Sequence, residues 1–233
     1  MIDVRNIKGI VFDKDGTLFD FQAVWSVWCD GVIGELSAGD ETLADKLANA
    51  IGYNRTERTF ISGGLIVSGA ADDTAHALAQ LLPEHDIDSV SAVCDRQDAG
   101  LSLVSVNNLV DVLGQLKSTG LKLGVATNDS EASALVQLKK SHTLEYFDFV
   151  CGYDSGHGSK PGAGMLHAFC KSTGLKASQL VMVGDSLHDI HAGVAAGVGL
   201  TVGVLTGPAT RSDLSGHADK VMEDIGGLLE LFH

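Results

Sequence analysis

The chain has 233 residues, 45% of them hydrophobic and 20% charged, which is enough apolar material for a buried core and unlike a disordered composition. Its formal net charge is −14 at pH 7. A field of that sign repels nucleic acid and anionic lipid, which argues against both as partners, and it obliges any anionic substrate to find a local cation.

Met1 to Ile10 is too polar for a secretory signal, and no apolar run is long enough to cross a bilayer. The four cysteines, Cys29, Cys94, Cys151 and Cys170, form no C-x-x-C pair. Reduced thiols in a cytoplasmic chain are the expectation.

The first element is a short apolar run, Ile7 to Phe12, that ends in carboxylates, which is the pattern of a buried strand with a polar C-terminal tip. Residues 21–100 differ in pattern. Trp25, Trp28, Val32 and Ile33 share one helical face, Leu43, Leu47 and Ile51 another, and Leu78, Leu81 and Leu82 precede Pro83. A glycine-rich stretch, Ile61 to Gly69, lies between them, either as a loop joining helices or as a loop that sets specificity. This region reads as a helical insertion of residues 21–100 into a core made of residues 1–20 and 101–233.

From Val106 onward, helices and strands alternate. Helices are expected near Val106 to Ser118, Glu131 to His142, Gly162 to Ser172 and His188 to Ala196. Strands are expected at Leu121 to Ala126, Phe147 to Cys151, Leu180 to Val183 and Leu200 to Leu205. Such alternation implies an α/β fold, a doubly wound parallel sheet covered on both faces, with ligands beyond the C-terminal strand ends.

Three strands end in chemistry-bearing residues. The first closes with Asp13-Lys14-Asp15-Gly16-Thr17, the second with Thr127-Asn128, the third with Gly184-Asp185, and Asp189 follows. Lys160-Pro161 lies on a connecting loop. Asp13 and Asp15 are two apart, so their side chains point the same way from an extended tip. Close carboxylates repel unless a cation or a proton intervenes, and a third one, Asp185, suits magnesium, a hard dication that shares oxygen ligands with substrate phosphate.

In this order and spacing, the four pieces resemble the four motifs of the haloacid dehalogenase superfamily, closest to the branch containing phosphoglycolate phosphatases with a helical cap. The resemblance spans nearly the whole chain. It implies that Asp13 attacks phosphorus and that Asp15 is the acid–base partner. It implies that Thr127 and Asn128 hold phosphoryl oxygens and that Lys160 orients Asp13. Magnesium would be bound by Asp13, Asp185 and the backbone carbonyl of Asp15, with Asp189 in support as a water-bridged ligand or as a group behind the ligands. The cap would close over the site. The substrate would be a small phosphate monoester, phosphoglycolate-like or a sugar phosphate, and the protein a monomer or homodimer.

The second aspartate, Asp15, separates phosphate-ester chemistry from the dehalogenase branch, which lacks it. A sugar phosphomutase keeps both aspartates and stays an alternative, as does a non-catalytic phosphate-binding protein. Two departures from the family stand out. Lys14 occupies a usually hydrophobic position, either as a charge near the site or as a surface amine. Gly162-Ala163-Gly164 replaces a proline-containing turn. Thr127-Asn128 has a second reading as a helix N-terminal cap. His188, His191 and His157 read as exposed or capping residues beside a metal or substrate alternative.

Overall fold

The computed structural model describes residues 4–61, 63–68, 71–100, 104–106 and 108–232, with the backbone alone for residues 68, 71, 72 and 98–100. The sequence boundary at residue 101, Gly69 and part of the helix expected from Val106 fall outside the described residues. The chain divides into two compact units, Met1–Phe21 with Val104–His233, and Gln22–Leu103.

The first unit opens with β1 (Gly9–Phe12). The second unit then supplies α1 (Phe21–Ser37), α2 (Glu41–Ile51), β2 (Tyr53–Asn54), β3 (Thr59–Phe60), α3 (Leu65–Ser68), α4 (Ala71–Ala79) and α5 (Ile87–Gly100). The first unit resumes with α6 (Leu109–Ser118), β4 (Lys122–Ala126), α7 (Glu131–Lys140), β5 (Phe149–Cys151) and α8 (Gly164–Thr173). It ends with β6 (Leu180–Gly184), α9 (Leu187–Ala196), β7 (Leu200–Val204), α10 (Arg211–Leu214), β8 (Lys220–Met222) and α11 (Leu229–Phe232).

One six-stranded sheet, in the order β5-β4-β1-β6-β7-β8, carries the first unit, and every pairing is parallel. The central strands β1, β6 and β7 are buried along their whole length, as sheets covered on both faces require. Connections run one way from β1 through β4 to β5, then return to the other side of β1 at β6. That reversal places the ligand crevice at the C-terminal ends of β1, β4 and β6.

Each expected strand is present within a few residues of its sequence bounds. The edge strand β8 and the short helices α10 and α11 were not anticipated. In the second unit, the glycine-rich stretch contains the single-turn helix α3, and a two-stranded hairpin, β2 with β3, stands inside what reads as helical sequence. Trp28, Val32 and Ile33 are buried as the helical face predicts, and Trp25 meets Trp28 edge to face at 5.4 Å. Leu81, beyond the end of α4, is exposed, whereas Leu78 and Leu82 are buried. No described helix is long and apolar enough to cross a membrane. All four cysteines are free thiols.

Candidate active site

β1 delivers Asp13 directly past Phe12, and its backbone N–H donates to Val183 O on neighbouring β6 at 2.8 Å. β6 ends at Gly184, so Asp185 stands beside Asp13 at the next strand tip. Asp189 comes from the first turn of α9, where it closes a capping box with Ser186. One carboxylate oxygen from each of Asp13, Asp185 and Asp189 lies within 4.8 Å of the other two, and all three residues are buried. Among the described residues this is the one cluster of potential metal ligands, and it contains no histidine.

Lys160 enters from the loop before α8, following which Lys160-Pro161 is a cis peptide. Its ammonium bonds to Asp13 Oδ1 and, at 2.6 Å, to Asp189 Oδ1. Asp189 Oδ2 accepts from the Ser186 N–H at 3.1 Å and from the Ser186 hydroxyl at 2.6 Å. Both oxygens of Asp189 are therefore committed within the protein. Three carboxylates against one ammonium leave an excess of two negative charges in a buried place, which matches a dication.

The electrostatics point the same way. Burial pushes Asp13 up to about 7; the Lys160 charge opposes that shift, and the Asp189 and Asp15 charges add to it. Burial also holds Asp185 well above the usual carboxylate range, with repulsion from Asp13 and Asp189 adding. Burial alone would lower Lys160, but Asp13 and Asp189 more than offset it and keep the ammonium charged. The donor set is hard oxygen throughout, so the residues present fit a magnesium ion.

The turn after β1 is built around Gly16, whose φ of +83° only glycine adopts freely. Thr206 on the loop after β7 donates to Gly16 O at 2.6 Å. The next residue, Gly207, lies so close to Asp185 that any Cβ there would overlap the carboxylate. These contacts fix the first-motif turn and Asp185 against one loop that no sequence motif singled out.

Thr127 is buried at the tip of β4, and its hydroxyl accepts from the Asp129 N–H at 3.1 Å, which leaves its own proton to donate. Asn128 Nδ2 donates to Lys160 O at 3.0 Å, and Lys160 N donates to Asn128 Oδ1 at 2.8 Å. The cap of α7 is Ser130, which accepts from Ser133 N. The capping alternative for Thr127-Asn128 is thereby corrected.

Lys14 is fully buried, so its surface-amine reading is also corrected. Its ammonium pairs with Asp15 Oδ2 at 2.7 Å and Asp129 Oδ2 at 3.1 Å, and donates to Gln137 Oε1. Burial holds Asp15 above the usual carboxylate range, and the Lys14 charge offsets only part of that rise. Asp129 and Gln137 escaped the sequence reading. The signal that could have found them is Lys14 itself, a charge between two aspartates at the tip of an apolar strand, which has to be paired if it is buried. His157 is exposed, and His191 stacks edge to face on His217 at 5.7 Å.

Residues 10–202 match the model of the haloacid dehalogenase-like hydrolases. The chain belongs to this family. It is 29% identical over 226 residues to a phosphoglycolate phosphatase of Salmonella typhimurium, covering 90% of this chain and 87% of the relative. It is likewise 29% identical over 242 residues to a phosphoglycolate phosphatase of Escherichia coli K12, covering 97% and 92%. Among solved structures, a predicted phosphoglycolate phosphatase from Haemophilus somnus superposes with a TM-score of 0.75 at 19% identity, over 99% of this chain and 100% of that one. An L-2-haloacid dehalogenase superposes at 0.65 with 23% identity, over 97% and 98%. Those two likenesses concern the fold alone. The chain is thus a haloacid dehalogenase-like hydrolase whose two strand-tip aspartates, Asp13 and Asp185, stand where the doubly wound sheet reverses direction.

Proposed function

We propose that this hydrolase is a magnesium-dependent phosphatase acting on small phosphate monoesters, phosphoglycolate-like or sugar phosphates, through an aspartyl-phosphate on Asp13. The observation that carries the reading is the buried triad of Asp13, Asp185 and Asp189, two of them paired with the Lys160 ammonium, with Asp15 two residues beyond Asp13. The phosphoglycolate phosphatase relatives support the ester class.

Asp13, Asp185 and the Asp15 backbone carbonyl would hold magnesium, and Asp189, with both oxygens engaged, would support the site from behind. When bound, the ion supplies positive charge that keeps Asp13 ionised and offsets the charge of the phosphate. A carboxylate oxygen of Asp13 forms a bond to phosphorus as the bond to the ester oxygen breaks. Asp15 gives its proton to that departing oxygen, then takes one from the water that attacks phosphorus and frees Asp13. Lys160 has three N–H donors and spends two on Asp13 and Asp189, which leaves one for a phosphoryl oxygen. The Thr127 hydroxyl donates to another. Asn128 retains one amide N–H for the phosphate while its other contacts grip Lys160. The second unit, expected from the sequence at residues 21–100, serves in this reading as the cap that selects the substrate.

The test is a panel of phosphate monoesters, with and without magnesium, for the wild type beside Asp13→Asn. Phosphate release is expected only with the metal, and the variant is expected to lose about a thousandfold or more of kcat. Full activity in the variant overturns the mechanism. Interconversion of sugar phosphates with little free phosphate assigns the chain to the mutases instead; a solved structure from Thermotoga maritima, provisionally assigned as a beta-phosphoglucomutase, shares the fold.

A further inference from the structure

Lys14 is the residue in the first motif for which the reaction above has no use. It is also the most demanding one to bury. A lysine ammonium at zero exposure has three N–H donors and a full charge to compensate. Three acceptors meet it: Asp15 Oδ2, Asp129 Oδ2 and Gln137 Oε1. They come from three separate pieces of chain, the turn after β1, the turn after β4 and the body of α7. Two of them are themselves held. Asp129 Oδ1 accepts from the Ser130 N–H at 2.6 Å, and Gln137 Nε2 donates to Ser133 Oγ at 3.2 Å. Two feet of the tripod are therefore fixed, and the third is the Asp15 carboxylate.

We propose that Lys14 is a positioning residue for general-acid catalysis: it pins Asp15 Oδ2 against Asp129 and Gln137, so that the other oxygen of Asp15 carries the proton to the leaving group. A neutral side chain at this position could fill the space but could not fix the rotation of the carboxylate. This inference rests on the phosphatase reading and assigns the orientation of its acid to one residue.

A group that only aligns the acid matters in proportion to how much the leaving oxygen needs a proton. An alkyl ester needs one badly, whereas 4-nitrophenolate leaves without it. The test is kcat/KM, which covers the steps through departure of the leaving group, for the alkyl phosphate of the panel that is turned over best and for 4-nitrophenyl phosphate. It is measured in the wild type, Lys14→Met, Lys14→Arg and Gln137→Met. Lys14→Met is expected to lose at least about tenfold more on the alkyl ester than on the aryl ester, and Lys14→Arg to recover part of that selective loss. Gln137→Met keeps both carboxylate pairs and nearly the same volume, so it tests the tether in a folded protein. It is expected to show the same selective pattern at several-fold size. Equal losses on both esters in Gln137→Met and in folded Lys14→Met, or no loss at all, overturn the assignment. Wild-type protein that releases phosphate from no ester of the panel with magnesium overturns the phosphatase reading, and this inference with it.

Discussion

The side-chain amide of Asn128 and the backbone of Lys160 hold each other reciprocally, Nδ2 donating to O at 3.0 Å and the Lys160 N–H donating to Oδ1 at 2.8 Å. A side chain on the β4 tip thus stands in for a missing strand partner and sets the start of the lysine stem. The loop that follows, Gly162-Ala163-Gly164, has little stiffness of its own, and this clamp supplies it. Asn128→Ala is expected to lower kcat by about 10–100-fold, the range for groups that orient active-site ligands, with a smaller change in KM. Asn128→Asp keeps the acceptor and loses the donor, so it should fall between. Steady-state kinetics on one turned-over ester decide; unchanged kcat in Asn128→Ala removes the clamp from the mechanism.

Gly207 has no room for a side chain, because a Cβ would overlap the carboxylate of Asp185. Gly207→Ala should therefore push Asp185 off its position. The magnesium concentration giving half-maximal activity is expected to rise by about 10–100-fold. An unaltered metal requirement would mean that Asp185 is not a ligand or that the loop gives way freely.

Asp148 offers a pH test remote from the site. Burial pushes it upward, but the Lys117 ammonium, the Leu123 N–H at 3.0 Å and the Lys122 ammonium at 3.0 Å together hold it below the usual range. The folded state thus prefers the ionised form. The resulting stabilisation is present above the 3.8 of an unpaired carboxylate and is lost as pH falls through the lower folded value. Asp148→Asn should cost about 1 kcal/mol at pH 7, the partners being partly exposed, and the gap to wild type should close below about pH 3.8. Urea unfolding at several pH values measures it.

In the second unit, Leu47 on α2 is fully buried. Leu47→Ala should destabilise that unit by about 2–5 kcal/mol through lost burial and a residual cavity. Denaturant unfolding followed by tryptophan fluorescence reads it directly, since Trp25 and Trp28 lie in the same unit. A cost under 1 kcal/mol would show that the unit collapses around the gap.

The parts that were legible in the sequence share one property: their signal is local. Apolar runs ending in Asp13, Thr127 and Asp185 announce buried strands with reactive tips, because a strand carries its burial in its own residues. The hairpin of β2 and β3 has two residues per strand, too few for any period to show. The edge strand β8 has three residues and only one fully buried. Lys14 was ambiguous for a different reason. Its partners Asp129 and Gln137 lie more than a hundred positions away, and only the folded sheet brings them to it.

The two ends of the insertion are fastened to each other before the insertion begins. Phe19 and Ser105 form an antiparallel bridge, the Asp20 N–H donates to Val104 O at 2.8 Å, and the Val106 N–H donates to Leu18 O at 3.0 Å. Some eighty residues therefore leave the catalytic unit and return through one small zipped gate. Lengthening, shortening or exchanging what lies between leaves the two strand ends of the gate, and with them the register of the sheet, as they are. The gate makes the intervening segment a replaceable module. On the proposed function, substrate preference could thus diversify in evolution, or be grafted by design, while the residues at the strand tips stayed in place.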